Sequence, residues 1–512
     1  MTDIIAQHWA DKTVDQLLAT QGAGPFLIAS GISPSGKIHV GNLREVVTAD
    51  IVSRVLRERG IATKLIFIAD DYDPLRKVYP FLDPAVYEKY IGVPLSEVPS
   101  PSGEPGSYAE HFIRPFAASL GALKIEVEIR RASQMYASGA LAEQIVLAMN
   151  HRDTIAEILN RVTGKEIAPE WSPFMPQCEE CGSMFHARLL SWNPSSKEIT
   201  YACDRCAIER SCPIVGRGKL TWRVDWPARW AALRVTIEPF GKDHGGKGGS
   251  FDTGKEISEK VFSWPAPFPV IYEWIRLKGM GDMSSSKGNV VSVDEMLDVM
   301  PPDVLRYFIT RPAPKTSLSL DPTLQVLTLV DEVDDESKKQ RDTRSVQLSQ
   351  AGGFTPVGIP FNHIVNVWQV AQRDMATVKA ILTRTGYTWS SDDALATRCA
   401  YAEKWLNRFA PEEYKFTVQQ TVPEAAKQLT AAERAALGAL AETFAKDPGM
   451  NAEAIHRALY EAATAAGMDM GSLCKAFYRA LIGKESGPRA GWFAGIVGLE
   501  FVARRLREVA GS

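Results

Sequence analysis

The chain has 512 residues, 45% hydrophobic and 23% charged, which is long enough for two to four domains of ordinary globular composition. A net charge of −3 excludes nucleic-acid capture by the field of the whole molecule, so any RNA contact has to come from local basic surfaces. No uninterrupted apolar run is long enough for a bilayer and residues 1–8 lack a signal-peptide pattern, so the cytoplasm is the expected compartment.

Residues 25–30 predict a buried strand, followed by the loop Ser33-Pro34-Ser35-Gly36-Lys37-Ile38-His39-Val40-Gly41-Asn42. Over 41–59, Leu43, Val47, Ile51 and Val55 recur every four residues, an amphipathic helix ending at Gly60. A second strand over 64–69 runs into Asp70-Asp71-Tyr72-Asp73-Pro74. Strand, loop, helix, strand opens a doubly wound parallel sheet, whose ligands sit beyond the strand C-termini. His39 stands just before the helix, where its imidazole and the first helical N–H groups face the same phosphate. Taken alone, a histidine there is more often a cap or a surface residue.

A further strand is expected over 123–129 and one long helix over 140–161. A proline-marked excursion follows at about 163–219, carrying Cys178-Glu179-Glu180-Cys181 and Cys203-Asp204-Arg205-Cys206 with 21 residues between the pairs. That spacing is how two knuckles hold one tetrahedral zinc, and four thiolates with no open position make the site structural. A disulfide is the competing reading, disfavoured in a large chain with no secretory signal. Cys212, Cys399 and Cys474 are isolated and expected to be small packing residues.

Residues 221–226 and 235–244 read as strands with polar ends. The glycine run 245–250 lacks the spacing of a Walker loop. A helix over 253–263 leads to a last strand over 270–275, which enters the loop Lys278-Gly279-Met280-Gly281-Asp282-Met283-Ser284-Ser285-Ser286-Lys287-Gly288-Asn289. Three hydroxyls, a lysine and close-approach glycines suit phosphate oxygens, although a Gly/Ser surface turn has the same composition. Residues 301–308 begin a small helical element, 331–344 read as a solvated charged helix or loop, 347–360 as a linker, and 362 onward as packed helices.

His39-Val40-Gly41-Asn42 and Met283-Ser284-Ser285-Ser286-Lys287 resemble the HIGH and KMSKS signatures of class I aminoacyl-tRNA synthetases. Asp70-Asp71-Tyr72-Asp73-Pro74-Leu75-Arg76, Glu238-Pro239-Phe240-Gly241-Lys242-Asp243-His244 and Tyr272-Glu273-Trp274-Ile275 sharpen this to the class I lysyl-tRNA synthetase family, to which the double cysteine pair is also similar. The similarity runs through essentially the whole chain.

The resemblance implies an α/β protein: a Rossmann-like doubly wound parallel catalytic domain over 1–290 with a zinc-ribbon insertion, a stem-contact-like helical connector and linker over 291–360, and a mostly helical anticodon-binding cage over 361–512. It implies ATP-dependent activation of L-lysine to lysyl-adenylate and transfer to the 3′ end of tRNA(Lys), with Mg2+ and a structural Zn2+ on Cys178, Cys181, Cys203 and Cys206. His39, Asn42 and Lys287 are then catalytic. Ser33, Pro34, Ser35, Gly36, His39, Gly41, Asn42, Met283, Ser284, Ser285, Ser286 and Lys287 bind ATP. Gly31, Ser33, Asp71, Trp222, His244 and Tyr272 form the lysine pocket. Asp71 is the first choice for the α-ammonium, with Asp70, Asp225, Glu238 and Asp243 as further acids, and Arg306, Arg311 and Lys315 are basic residues available to RNA. No segment resembles an editing domain. Three other readings stay open: a glutamyl, glutaminyl, cysteinyl or arginyl synthetase with the same two motifs, a tRNA-independent nucleotidyltransferase, and a zinc-ribbon RNA-binding protein without catalysis.

Overall fold

The structure is a computed structural model and describes residues 7–285, 287–339 and 343–511. The chain divides into two compact units: Met1–Leu297 with Pro302–Leu320 and Asp342–Gly353, and Asp298–Pro301 with Asp321–Arg341 and Phe354–Ser512. Among the described residues no helix is long and apolar enough to cross a membrane.

The first unit is built on a five-stranded parallel sheet in the spatial order Phe268–Tyr272, Ile237–Gly241, Phe26–Ile32, Thr63–Ala69, Glu128–Arg131. Numbered along the chain this is the doubly wound order 5-4-1-2-3, with its switch point between the first and fourth strands. Covered on both faces, the central strands are largely apolar rather than alternating: Phe26, Ile28, Ala29, Leu65, Ile66, Phe67 and Ile68 are all buried. The helix Val40–Glu58 packs its four-residue stripe of Leu43, Val47, Ile51 and Val55 out of solvent. It stops before Gly60, whose φ of +73° a β-carbon would strain.

Several expected elements differ. Residues 221–226 form no strand; they open the helix Trp222–Leu233. The alternation there is the start of a four-residue repeat, Trp222, Trp226, Trp230, visible only over a longer window. The expected strand at 123 begins later, at Glu128, because Lys124 turns the chain at φ +51° after the helix Tyr108–Ala122. The expected long helix is two, Ala142–Asn150 and Arg152–Thr163, divided at His151. The last core strand ends at Tyr272, and Ile275–Leu277 pairs instead with Leu318–Leu320 and Gly281–Asp282 in a separate small sheet. Arg306 is not available to RNA: it is fully buried, with its guanidinium 2.6 Å from Asp50.

The cysteine-bearing excursion is a three-stranded antiparallel ribbon, Ala187–Asn193, Glu198–Cys203 and Ile208–Pro213. Its ends are tied by the pair Phe174–Pro176 and Gly218–Leu220.

The second unit is helical, with a core that includes Leu437, Leu440, Phe444, Leu459, Phe477, Leu481, Phe493 and Leu506. The segment 331–339 lies in the helix Gln325–Lys339 and is only partly solvated: Asp334 is buried and paired with Arg398 at 3.2 Å. The expected linker over 347–360 contains the boundary between the two units, at Gly353 and Phe354; its first residues finish the helix Thr343–Ser349, and Val357 and Ile359 are buried.

Candidate active site

A cleft of about 730 Å³ opens where the sheet order reverses, beyond the C-terminal ends of the first and fourth strands. Backbone from both signature loops closes one side. Val40 N–H donates to the carbonyl of Val291 at 3.1 Å, and Ser285 Oγ donates to the carbonyl of Lys37 at 2.8 Å. Two glycines permit this approach. A β-carbon on Gly36 would sit 2.5 Å from the Ser285 carbonyl oxygen, and one on Gly41 would lie 2.8 Å from the His39 ring and 3.4 Å from Met283 Cε.

His39 caps the start of the helix Val40–Glu58, and its own N–H donates to Asn42 Oδ1 at 3.2 Å. Its side chain is only 8% exposed, with Nδ1 unpartnered among the described residues. Burial pushes its pKa down to about 4, so the ring is neutral and acts as a hydrogen-bonding group rather than a cation. His39, Gly41, Asn42, Ser33, Ser35, Met283, Ser284 and Ser285 all line the cleft. Pro34 and Gly36 lie behind that surface, and Lys287 is exposed at its rim, outside the lining. Ser286 lies outside the described residues.

At the other end stand Gly31, Trp222, His244 and Tyr272, together with a residue that the sequence did not single out, Glu45. Glu45 Oε1 accepts from Gly31 N–H at 2.8 Å and Oε2 accepts from Tyr272 O–H at 2.7 Å. No cation pairs with it among the described residues, and burial raises its pKa to about 7. The signal was present in the sequence. Glu45 is the acid four residues after Gly41 on the helix that carries the HIGH-like motif, on the turn facing the sheet edge.

The remaining acids separate by what holds them. Asp71 turns away from the cleft: its carboxylate accepts from Ser133 N–H at 2.8 Å and Ser133 Oγ at 2.7 Å. Asp225 is wholly buried, shared among Tyr136, Lys219 and Arg229. Glu238 accepts from the indoles of Trp226 and Trp230 at 2.7 and 2.6 Å, and burial raises its pKa to about 8. None of these three lines the cleft, so their place as substrate-facing acids is corrected; Asp70, Asp73 and Asp243 do line it. Burial raises Asp70 against the pull of Arg229, which is 2.5 Å away. Burial would raise Asp73 as well, but Lys219 at 2.6 Å and the Ser33 hydroxyl hold it below the usual carboxylate value.

In the ribbon, the thiols of Cys178, Cys181, Cys203 and Cys206 all lie within 4.8 Å of one another. Cys178 and Cys206 are 3.9 Å apart and Cys181 and Cys203 3.7 Å, near the ~3.8 Å edge of a tetrahedron of Zn–S bonds and far from a disulfide. Gly182 and Ala207, each just after a pair, take φ of +70° and +53°, which turns both knuckles inward.

A doubly wound sheet whose HIGH-like and KMSKS-like loops meet over its switch point is the catalytic domain of a class I aminoacyl-tRNA synthetase. The family model described as tRNA synthetases class I (K) matches residues 7–355, and an anticodon binding domain model matches 402–510. The chain is 42% identical over 528 residues to lysine–tRNA ligase 1 of Methanosarcina acetivorans, covering 98% of each. It is 44% identical over 504 residues to the lysine–tRNA ligase of Archaeoglobus fulgidus, covering 98% of this chain and 99% of that one. To the lysine–tRNA ligase of Thermoplasma acidophilum it is 37% identical over 518 residues, covering 99% of each. The chain belongs to the class I (K) tRNA synthetase family.

Proposed function

We propose that the protein is a cytoplasmic lysine–tRNA ligase of translation, joining L-lysine to ATP as lysyl-adenylate and passing the lysyl group to tRNA(Lys). The observation that carries the choice of amino acid is Glu45, a carboxylate in the cleft with Gly31 and Tyr272 as its hydrogen-bond donors and no cation of its own. A site built this way favours a cationic side chain and rejects an analogue that leaves the acid unpaired.

In the first step a carboxylate oxygen of lysine attacks the α-phosphorus, the bond to the bridging oxygen breaks, and pyrophosphate leaves with the electron pair. No protein nucleophile is required. Alignment of the two substrates lowers the barrier by about 7–11 kcal/mol, and one well-placed donor adds about 3. Neutral His39 and Asn42 hold the triphosphate from the helix side. Ser33, Ser35, Gly41 and the Met283–Ser285 segment shape the nucleotide site, Pro34 and Gly36 setting the backbone behind it, while Lys287 closes from the rim onto the departing pyrophosphate; Ser286 is assigned to the same phosphates by its place in the KMSKS-like motif. Mg2+ bound to the nucleotide would supply the charge that spreads over the phosphates. Gly31, Trp222, His244 and Tyr272 enclose the lysine side chain, its ε-ammonium on Glu45, while Asp70 rather than Asp71 takes the α-ammonium. In the second step the terminal ribose hydroxyl of tRNA attacks the acyl carbon and AMP leaves. The four thiolates hold a structural zinc that stiffens a ribbon too small for its own core.

The test is amino-acid-dependent ATP–pyrophosphate exchange with tRNA present, run with each amino acid. Exchange with lysine alone is expected, and exchange driven by arginine or glutamate instead would overturn the reading.

A further inference from the structure

The helical unit holds two cavities, of about 650 and 620 Å³, that share Arg489 and Trp492 as common walls. Trp492 stands 48% exposed on the helix Ala490–Val497, whose interior positions are buried. Arg489, just before that helix, is exposed and makes no ion pair or side-chain hydrogen bond among the described residues.

The two cavities differ chemically. The first is lined by Asn362, His363, Asn366 and Tyr387. His363 is only 9% exposed, stacks on Tyr387 with ring centroids 4.4 Å apart, and meets Trp492 edge-on at 6.1 Å. Its Nε2 is buried without a partner among the described residues, a cost that a ligand's polar edge relieves. The second is bounded mainly by Met470, Cys474, Tyr478 and Ala490, with Glu453 and His456 also on its wall, and is the more apolar of the two.

We propose that two consecutive nucleotides of the tRNA anticodon loop seat on either side of the Trp492 ring, with Arg489 on the phosphate that joins them. The base beside His363 is read by hydrogen bonds from His363 and the Asn362 amide, and its neighbour by shape and stacking. An exposed aromatic wall, an unpaired guanidinium and an unsatisfied buried imidazole together suit an unstacked nucleobase better than a protein surface. The inference rests on the tRNA-ligase reading and adds the residues that hold the loop.

The experiment uses the full chain and an unmodified tRNA(Lys) transcript, with filter binding and lysine charging measured in parallel. Trp492→Ala is expected to weaken binding about tenfold or more and to raise KM for tRNA, with an unchanged thermal melt because half the ring is already in solvent. Trp492→Phe is expected to restore most of the loss. Arg489→Gln is expected to lower the slope of log affinity against log salt by about one. Abasic sugars placed singly around the loop are expected to weaken wild-type binding most at two adjacent positions, and to add little in Trp492→Ala. If the wild type binds and charges tRNA(Lys) but Trp492→Ala matches it, or the coupled positions are not adjacent, the Trp492 site falls and the ligase reading stands. If the wild type neither binds nor charges tRNA(Lys), both fall.

Discussion

Ser285 Oγ donates a 2.8 Å hydrogen bond to the carbonyl of Lys37, joining two loops whose residues are 248 positions apart in the chain. That bond and the carbonyl beside it need Gly36 bare. Gly36→Val is expected to push the loops apart and lower lysine-dependent exchange about tenfold or more, with little change in melting temperature because both loops are peripheral to the core. Steady-state exchange and a thermal melt on the same preparation check this.

Lys287 is exposed and bears no structural burden, so Lys287→Ala is expected to cost about 10²–10³ in the rate of adenylate formation while leaving stability within roughly 0.5 kcal/mol. Single-turnover adenylate formation and urea denaturation separate the two effects. A variant that forms adenylate at the wild-type rate would remove Lys287 from the mechanism.

Glu45 sets a pH dependence. Its pKa of about 7 in the folded chain lies above the ~4.3 of an unfolded carboxyl, so the folded state keeps a proton that the unfolded chain has lost. The stability owed to the neutral acid is complete below about pH 4 and is lost as pH rises through about 7. Lysine needs the ionised form, so its affinity is expected to rise about tenfold between about pH 6 and about pH 8. Glu45→Gln, which keeps the contacts to Gly31 and Tyr272, is expected to flatten both profiles and to weaken lysine binding sharply. Calorimetric titration across that range reads the affinity, and melts read the stability.

Arg44 is 1% exposed and donates to the carbonyls of Glu273 at 2.5 Å, Pro314 at 3.0 Å and Thr316 at 2.8 Å. One guanidinium therefore fastens the HIGH-bearing helix to the chain just before the two parallel strands Ile275–Leu277 and Leu318–Leu320, which lie on either side of the KMSKS-like loop in sequence. Arg44→Met takes the guanidinium donor from these carbonyls, of which that of Pro314 keeps the Glu273 N–H, and is expected to cost about 1–3 kcal/mol, measured by urea denaturation.

The thiol cluster predicts close to one zinc per chain by elemental analysis. Cys203→Ser, or prolonged chelation, is expected to expose the 174–220 ribbon to proteolysis before the parallel sheet unfolds.

Much of this was legible in the chain itself. The apolar runs at 25–30 and 64–69, the four-residue stripe after Gly41 and the paired Cys-x-x-Cys knuckles each report a local physical requirement: burial on two faces, burial on one, and tetrahedral ligation. Short windows misled where a repeat outran them, as at Trp222, Trp226 and Trp230, which are helical. Which acids face the substrate was not legible. Asp70 and Asp71 are neighbours of identical composition, yet one borders the cleft and the other is spent on Ser133. Asp225 is neutralised by Lys219 and Arg229, Glu238 is enclosed by two tryptophans away from the cleft, and Glu45, with neutral donors only, borders the cleft. The sequence by itself determined the sheet, the metal knuckles and the two phosphate-handling loops, because those rest on spacing within a few residues. Only the tertiary structure decided which carboxylates face the cleft and which are spent on other partners, because that depends on groups brought in from distant parts of the chain and on how much water each one loses.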